Sequence, residues 1–231
     1  MRRLLPLFAL AALSVPAAAQ QATMDTVYER NSAVPFPTTI TVPGATATQM
    51  LTGTGIRTKT FLKVKVYAFG LYVDPAGART SLAPFKGKTA KDLEKDDAFY
   101  GRILDQDFAM SLRLVMTRDV GGEDMAEAFD GALRPRVQTA AAEMNMPGGE
   151  AALDTFRGYF SVDEMTRESE IVFSCDPDGT LRTSVKGNVQ ANISSPALCW
   201  ALFDVYLGDE PISKDGKKRM AERFPAILGG M

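Results

Sequence analysis

Arg57 and Tyr67 are the residues whose types and spacing fit chemistry on a small anion. The arginine follows two spaced glycines in Gly53-Thr-Gly-Ile-Arg57. The tyrosine lies in the β-patterned run Phe61-Leu-Lys-Val-Lys-Val-Tyr67-Ala-Phe-Gly-Leu-Tyr-Val73. A guanidinium is a permanently charged donor fork and a phenol adds one further donor, so the two together suit an oxyanion such as a carboxylate. An unbroken strand would hold them roughly 33 Å apart at about 3.3 Å per residue. They can share a ligand only if the chain reverses between them, and the expected place is a hairpin or sharp bend near residues 58–61, with Gly53 and Gly55 permitting tight geometry just before it. Each residue also has a purely structural reading, as a salt-bridged surface arginine and as a core tyrosine with its hydroxyl at the edge.

The elements that must position them follow from pattern. Phe36 to Pro43 alternates β-branched residues between prolines and reads as an edge strand; Asp74-Pro-Ala-Gly77 reads as a turn. Beyond the bend, strict alternation places Lys63, Lys65, Tyr67, Phe69 and Leu71 on one face of a strand. A helix capped at Thr89, with Asp92 three positions on, precedes a strand over residues 107–118. Gly121-Gly122 then introduces a helix whose apolar residues Met125, Ala128, Phe129, Ala132 and Leu133 recur at three and four, with Pro135 as its kink or end. A short helix from Glu150 and a β-hairpin turning at Asp176-Pro-Asp-Gly179 come next, followed by a helix capped by Ser195-Pro196 and ended by Gly208. A last helix starts at Ser213 and buries Met220 and Phe224. No regular βαβ alternation is present, so the fold class is α+β, an antiparallel sheet with helices on one face.

Composition removes several functions. With no histidine in 231 residues, Ser-His-Asp and Cys-His catalysis and most imidazole-built metal sites are excluded, and no cofactor is implied. Arg2 and Arg3, the apolar run 4–15 and Ala17-Ala18-Ala19 form a signal-peptide pattern over residues 1–19, which predicts a periplasmic or secreted protein without a transmembrane anchor after cleavage. Loss of that segment leaves 24 basic against 28 acidic residues, so nucleic acid and anionic membrane surfaces are poor partners. Residues 20–35 read as a loosely ordered lead-in to a single domain over 36–231. Cys175 and Cys199 would meet an oxidising compartment, where they could form a disulfide or remain as buried thiols.

Gly53-x-Gly-x-Arg57, the run 61–73, Phe85-Lys-Gly-Lys88, Phe203-Asp-Val-Tyr-Leu-Gly-Asp-Glu-Pro-Ile-Ser213 and the closing Met220-Ala-Glu-Arg-Phe-Pro-Ala-Ile-Leu228 resemble the chalcone isomerase superfamily over nearly the whole mature chain. The resemblance implies an open-faced β-sandwich, a large antiparallel sheet under a layer of helices with a cleft between them. It implies that Arg57 is the arginine that steadies a phenolate and developing enolate in the isomerases. Their helix tyrosine and asparagine align with Met125 and Ala132, a strand threonine aligns with Tyr67, and a further polar position falls at Val205. Met and Ala donate no hydrogen bond to a substrate oxygen. The pattern is therefore closer to the fatty-acid-binding relatives, in which an arginine and a tyrosine hold a carboxylate and an apolar cleft holds the tail. On that reading Arg57 and Tyr67 meet the head group of a small amphipathic ligand, and Met125, Ala128 and Ala132 line its tail channel or else form ordinary helix-to-sheet core. The alternative implied by the superfamily is an intramolecular lyase acting on a chalcone-like enone.

Overall fold

The computed structural model describes residues 25–45, 47–59 and 63–230. It opens with short strands β1 (Thr26–Tyr28), β2 (Pro35–Pro37) and β3 (Thr39–Ile40), followed by the long pair β4 (Gln49–Lys59) and β5 (Val64–Val73). Helices α1 (Pro75–Ser81), α2 (Ala90–Leu93) and α3 (Asp97–Leu104) lead to β6 (Met110–Met116) and β7 (Val120–Gly121), then α4 (Gly122–Glu143) and α5 (Glu150–Gly158). The chain continues through β8 (Glu164–Met165), β9 (Glu170–Cys175), β10 (Thr180–Val185), β11 (Asn188–Val189) and β12 (Ile193–Ser194) to α6 (Pro196–Leu207), α7 (Lys214–Met220) and α8 (Phe224–Gly229).

The main sheet is antiparallel, ordered β11-β10-β9-β6-β5-β4-β3, with β12 paired to the start of β10 along the same edge as β11. Alternate residues of its central strands, among them Phe69, Leu71, Leu112, Leu114, Ile171 and Phe173, point to the helices and are buried with Leu133, Val137, Leu198 and Leu202. This is the expected α+β open-faced sandwich, with most of the apolar surface removed from water on the helical side. Cys175 at the end of β9 and Cys199 within α6 are joined by a disulfide that ties sheet to helix layer, with their Cα atoms 6.0 Å apart.

The other face carries a smaller cluster of Phe36, Leu51, Ala68, Tyr72 and Val115, with Val27 and Val34 packed on it. Residues 25–35, expected to be loosely held, are therefore ordered: β1 pairs with β2, and the fully buried Glu29 carboxylate fixes the bend between them. It accepts hydrogen bonds from the Asn31 and Ser32 amides, the Ser32 hydroxyl and Arg219 Nη1. The polar composition that suggests a loose tail instead builds a hydrogen-bonded turn. The signal-peptide residues 1–19 lie outside the described residues.

Four further local readings change. Asp74-Pro75 starts α1 and is not an isolated turn, because the Asp74 carboxylate caps the Ala76 and Gly77 amides and proline occupies the first helical turn. Pro135 does not end α4, which continues to Glu143, and Arg136 Nη1 donates to Ala132 O in the turn that holds the proline. The last helix is two, α7 and α8, with Pro225 restarting the chain in the first turn of the second. Gly53 and Gly55 lie inside β4 instead of at a bend. A Cβ at Gly53 would stand 1.9 Å from Arg219 O, and one at Gly55 would stand 2.8 Å from the Gly216 Cα, so the glycines let the backbone of α7 lie against the strand.

Candidate functional site

The β4–β5 pair reverses between Lys59 and Val64, so Arg57 and Tyr67 become direct cross-strand partners. The tip of that reversal, residues 60–62, lies outside the described residues. Register fixes more than proximity. Arg57 faces Tyr67 and Thr58 faces Lys65, which leaves Val66 as the extra residue of a β-bulge. A bulge inverts the alternation beyond it. Lys65 therefore points away from Tyr67, to the far face, where its ammonium donates to Asn31 O. The expected shared face of Lys63, Lys65 and Tyr67 is not formed, and Val64, Val66 and Tyr67 all turn toward the helices.

That inversion gives a cavity of about 360 Å³ an apolar floor between sheet and helices. Its floor is Val64, Val66 and Tyr67, and Arg57 and Lys59 come from the neighbouring strand. The first turns of α4 supply one wall: Met125, Ala128, Phe129 and Ala132 recur at the spacing of one helical face. Val205 near the end of α6 and Ile212 in the link to α7 close the third side. Arg57, Tyr67, Met125, Ala128, Ala132 and Val205 thus line one cavity. Met125 is buried, Ala132 half-buried and Ala128 exposed, so the wall opens toward solvent along the helix.

Arg57 is half-buried, and no carboxylate among the described residues pairs with it; its guanidinium reaches Ile212 O at 3.5 Å. Several other half-buried arginines differ, since Arg136 pairs with Asp204, Arg182 with Asp176 and Arg113 with Glu170, whereas Arg223, like Arg57, has no carboxylate partner among the described residues. Beside Arg57 the Tyr67 hydroxyl lies 3.0 Å from the Tyr206 hydroxyl, and both rings are buried. Phe69 packs edge-on to each, with centroids 6.4 Å from Tyr67 and 4.9 Å from Tyr206. Burial raises the Tyr67 phenol above its ordinary value, against the lowering influence of its bond to Tyr206 and the nearby Arg57 charge. Burial raises Tyr206 further, with Tyr67 adding to the shift. Both hydroxyls therefore keep their protons at neutral pH.

Tyr206 is a site residue the sequence does not reveal as one. It reads there as one more member of the apolar stripe of α6, and the available signal is a phenol among Leu and Val that needs a polar partner once buried. The mouth of the cavity carries Lys59, Arg118, Asp119 and Asp124. Arg118 Nε donates to Asp119 O, and the Asp119 carboxylate accepts from the Arg167 amide. Among the described residues no group of three or more His, Cys, Asp or Glu is placed to hold a metal ion. The cavity offers donors at one end and hydrocarbon along its walls, and Met125, Ala132 and Val205 present no hydrogen-bond donor.

The sequence profile described as chalcone isomerase like matches residues 47–221. Fatty-acid-binding protein 2 of Arabidopsis thaliana is 30% identical over 186 residues, covering 78% of this chain; the chain spans 46% of that protein's length. The chalcone–flavanone isomerase of Zea mays is 26% identical over 206 residues, covering 86% of this chain and 88% of the isomerase. The crystal structure of the Arabidopsis thaliana fatty-acid binding protein AtFAP1 superposes with a TM-score of 0.74 at 23% identity, covering 88% of this chain and 99% of that one. With the profile spanning most of its length and the sandwich shared with AtFAP1, the chain belongs to the chalcone isomerase-like family.

Proposed function

We propose that the protein is an exported, non-catalytic binder of a fatty acid or similar amphipathic carboxylate. The head group sits at Arg57 and Tyr67, and the tail runs between the floor of Val64 and Val66 and the α4 wall of Met125, Ala128 and Ala132. The observation that carries this reading is Arg57, a half-buried guanidinium without a carboxylate partner among the described residues, beside a protonated phenol at the polar end of an apolar cavity. A cation held partly out of water gains most from an anion that brings its own charge-assisted hydrogen bonds. The cavity volume falls within the range usual for small-molecule sites, about 300–1,000 Å³. The relatives named fatty-acid-binding proteins support the ligand class, and the pattern of residues 1–19 supports export.

The similarity to the maize isomerase favours a second reading, turnover of an enone with Arg57 as electrostatic catalyst. Against it stand the donor-free side chains of Met125, Ala132 and Val205 around the cavity. Calorimetric titration of the delipidated protein with laurate separates the two. Binding that weakens at least about tenfold in Arg57→Ala is expected, as for loss of a hydrogen bond to a charged group. Absence of laurate binding, together with turnover of naringenin chalcone above its spontaneous rate that Arg57→Ala abolishes, would put the isomerase in its place.

A further inference from the structure

Each phenol of the Tyr67–Tyr206 pair has one hydrogen to give and can accept. One hydrogen is spent on the bond between them, and the other is left over. If Tyr67 donates to Tyr206, the leftover hydrogen belongs to Tyr206, which is buried, does not line the cavity and has no second hydrogen bond among the described residues. Stranding a buried donor costs about 1–3 kcal/mol. If Tyr206 donates to Tyr67, the leftover hydrogen belongs to Tyr67, which lines the cavity beside Arg57. The second arrangement leaves nothing stranded once an acceptor occupies the cavity.

We infer that Tyr206 is a positioning residue that sets the direction of the Tyr67 hydroxyl, so that the head-group end offers donors from both Tyr67 and Arg57 and selects an acceptor-only head group, a carboxylate, over an alcohol on the same tail. This rests on the binding reading above and adds a residue that need not touch the ligand. The phenols stay protonated at neutral pH because burial raises both, so the chain from Tyr206 through Tyr67 to the ligand is intact there. A chain of this kind also strengthens its last bond, since a hydroxyl that accepts becomes a better donor.

The test compares laurate with dodecanol on the delipidated protein, with Tyr206→Phe and Tyr67→Phe singly and together. In Tyr206→Phe the Tyr67 hydroxyl is free to accept from the alcohol, so the preference for laurate over dodecanol should narrow by up to about tenfold, the worth of the one neutral hydrogen bond that the alcohol gains. The double variant should lose little more preference than Tyr67→Phe alone, because both changes break one chain. The carboxyl resonance of bound ¹³C-carboxyl laurate should shift between the wild type and Tyr206→Phe. Laurate bound as before, with the preference and the carboxyl resonance unchanged in Tyr206→Phe, overturns the inference and leaves the binding reading standing. Additive losses in the double variant overturn it as well. A wild-type protein that binds neither probe overturns both.

Discussion

A half-buried guanidinium with one long contact to a carbonyl is an unusual thing to leave in a folded chain, and Arg57 is best understood together with the two phenols behind it. The sequence makes Arg57 and Tyr67 visible because Arg next to spaced glycines and Tyr in an apolar run are both chemically conspicuous. Tyr206 is not conspicuous, since its role exists only after α6 is laid across β5. The same phenols predict a pH dependence. Their folded pKa values lie above the ordinary value of about 10 that they regain on unfolding, so their contribution is complete below pH 10 and is lost as pH rises beyond it toward the folded values. Urea midpoints measured from about pH 9 to pH 11 should fall above pH 10, at up to about 1.4 kcal/mol per pH unit for each buried phenol that resists ionisation. Tyr206→Phe should make the fall shallower, and an unchanged slope in that variant would remove the phenol pair as its cause.

At the scale of elements, capping and turn chemistry were legible because they are local. The Thr89–Asp92 capping box, the Ser195 cap of α6 and the Asp176–Gly179 hairpin turn, with Gly179 at φ +78°, all form where the residues place them. What was not legible depends on contacts between distant segments. The bulge at Val66 is set by pairing with β4, and it alone decides that Lys65 leaves the cavity while Val64 and Val66 enter it. The glycines of β4 likewise have a reason that lies some 160 residues away in α7. Gly53→Ala tests this directly: its Cβ would overlap the Arg219 carbonyl, so α7 must move off the strand. The expected loss is about 1–3 kcal/mol, as for overpacking, read as a lowered urea midpoint. A substitution without effect would show that α7 is free to shift.

For the molecule as a whole, the sandwich follows from element order and periodicity, and the cover on the second face does not. Phe36 and Val34 pack there because Glu29 holds the turn before them, a tertiary consequence of one buried carboxylate that composition presents as a polar lead-in. The Cys175–Cys199 bond joins the two layers across 24 residues. Replacing both cysteines by alanine should lower stability by roughly 3 kcal/mol on a loop-closure basis, measured by urea denaturation, and the same loss should follow reduction of the native protein. Equal stability with and without reductant would contradict a constraining role. The disulfide, the export pattern of residues 1–19 and an Arg57 without a carboxylate partner among the described residues are the observations behind the proposal of an exported binding protein. Native mass spectrometry of the protein, purified gently without detergent or solvent, bears on that claim most directly. A bound species with the mass of a fatty acid is expected, lost in Arg57→Ala while the fold is retained. A wild-type protein that is empty as purified and stays empty when fatty acids are added would contradict it.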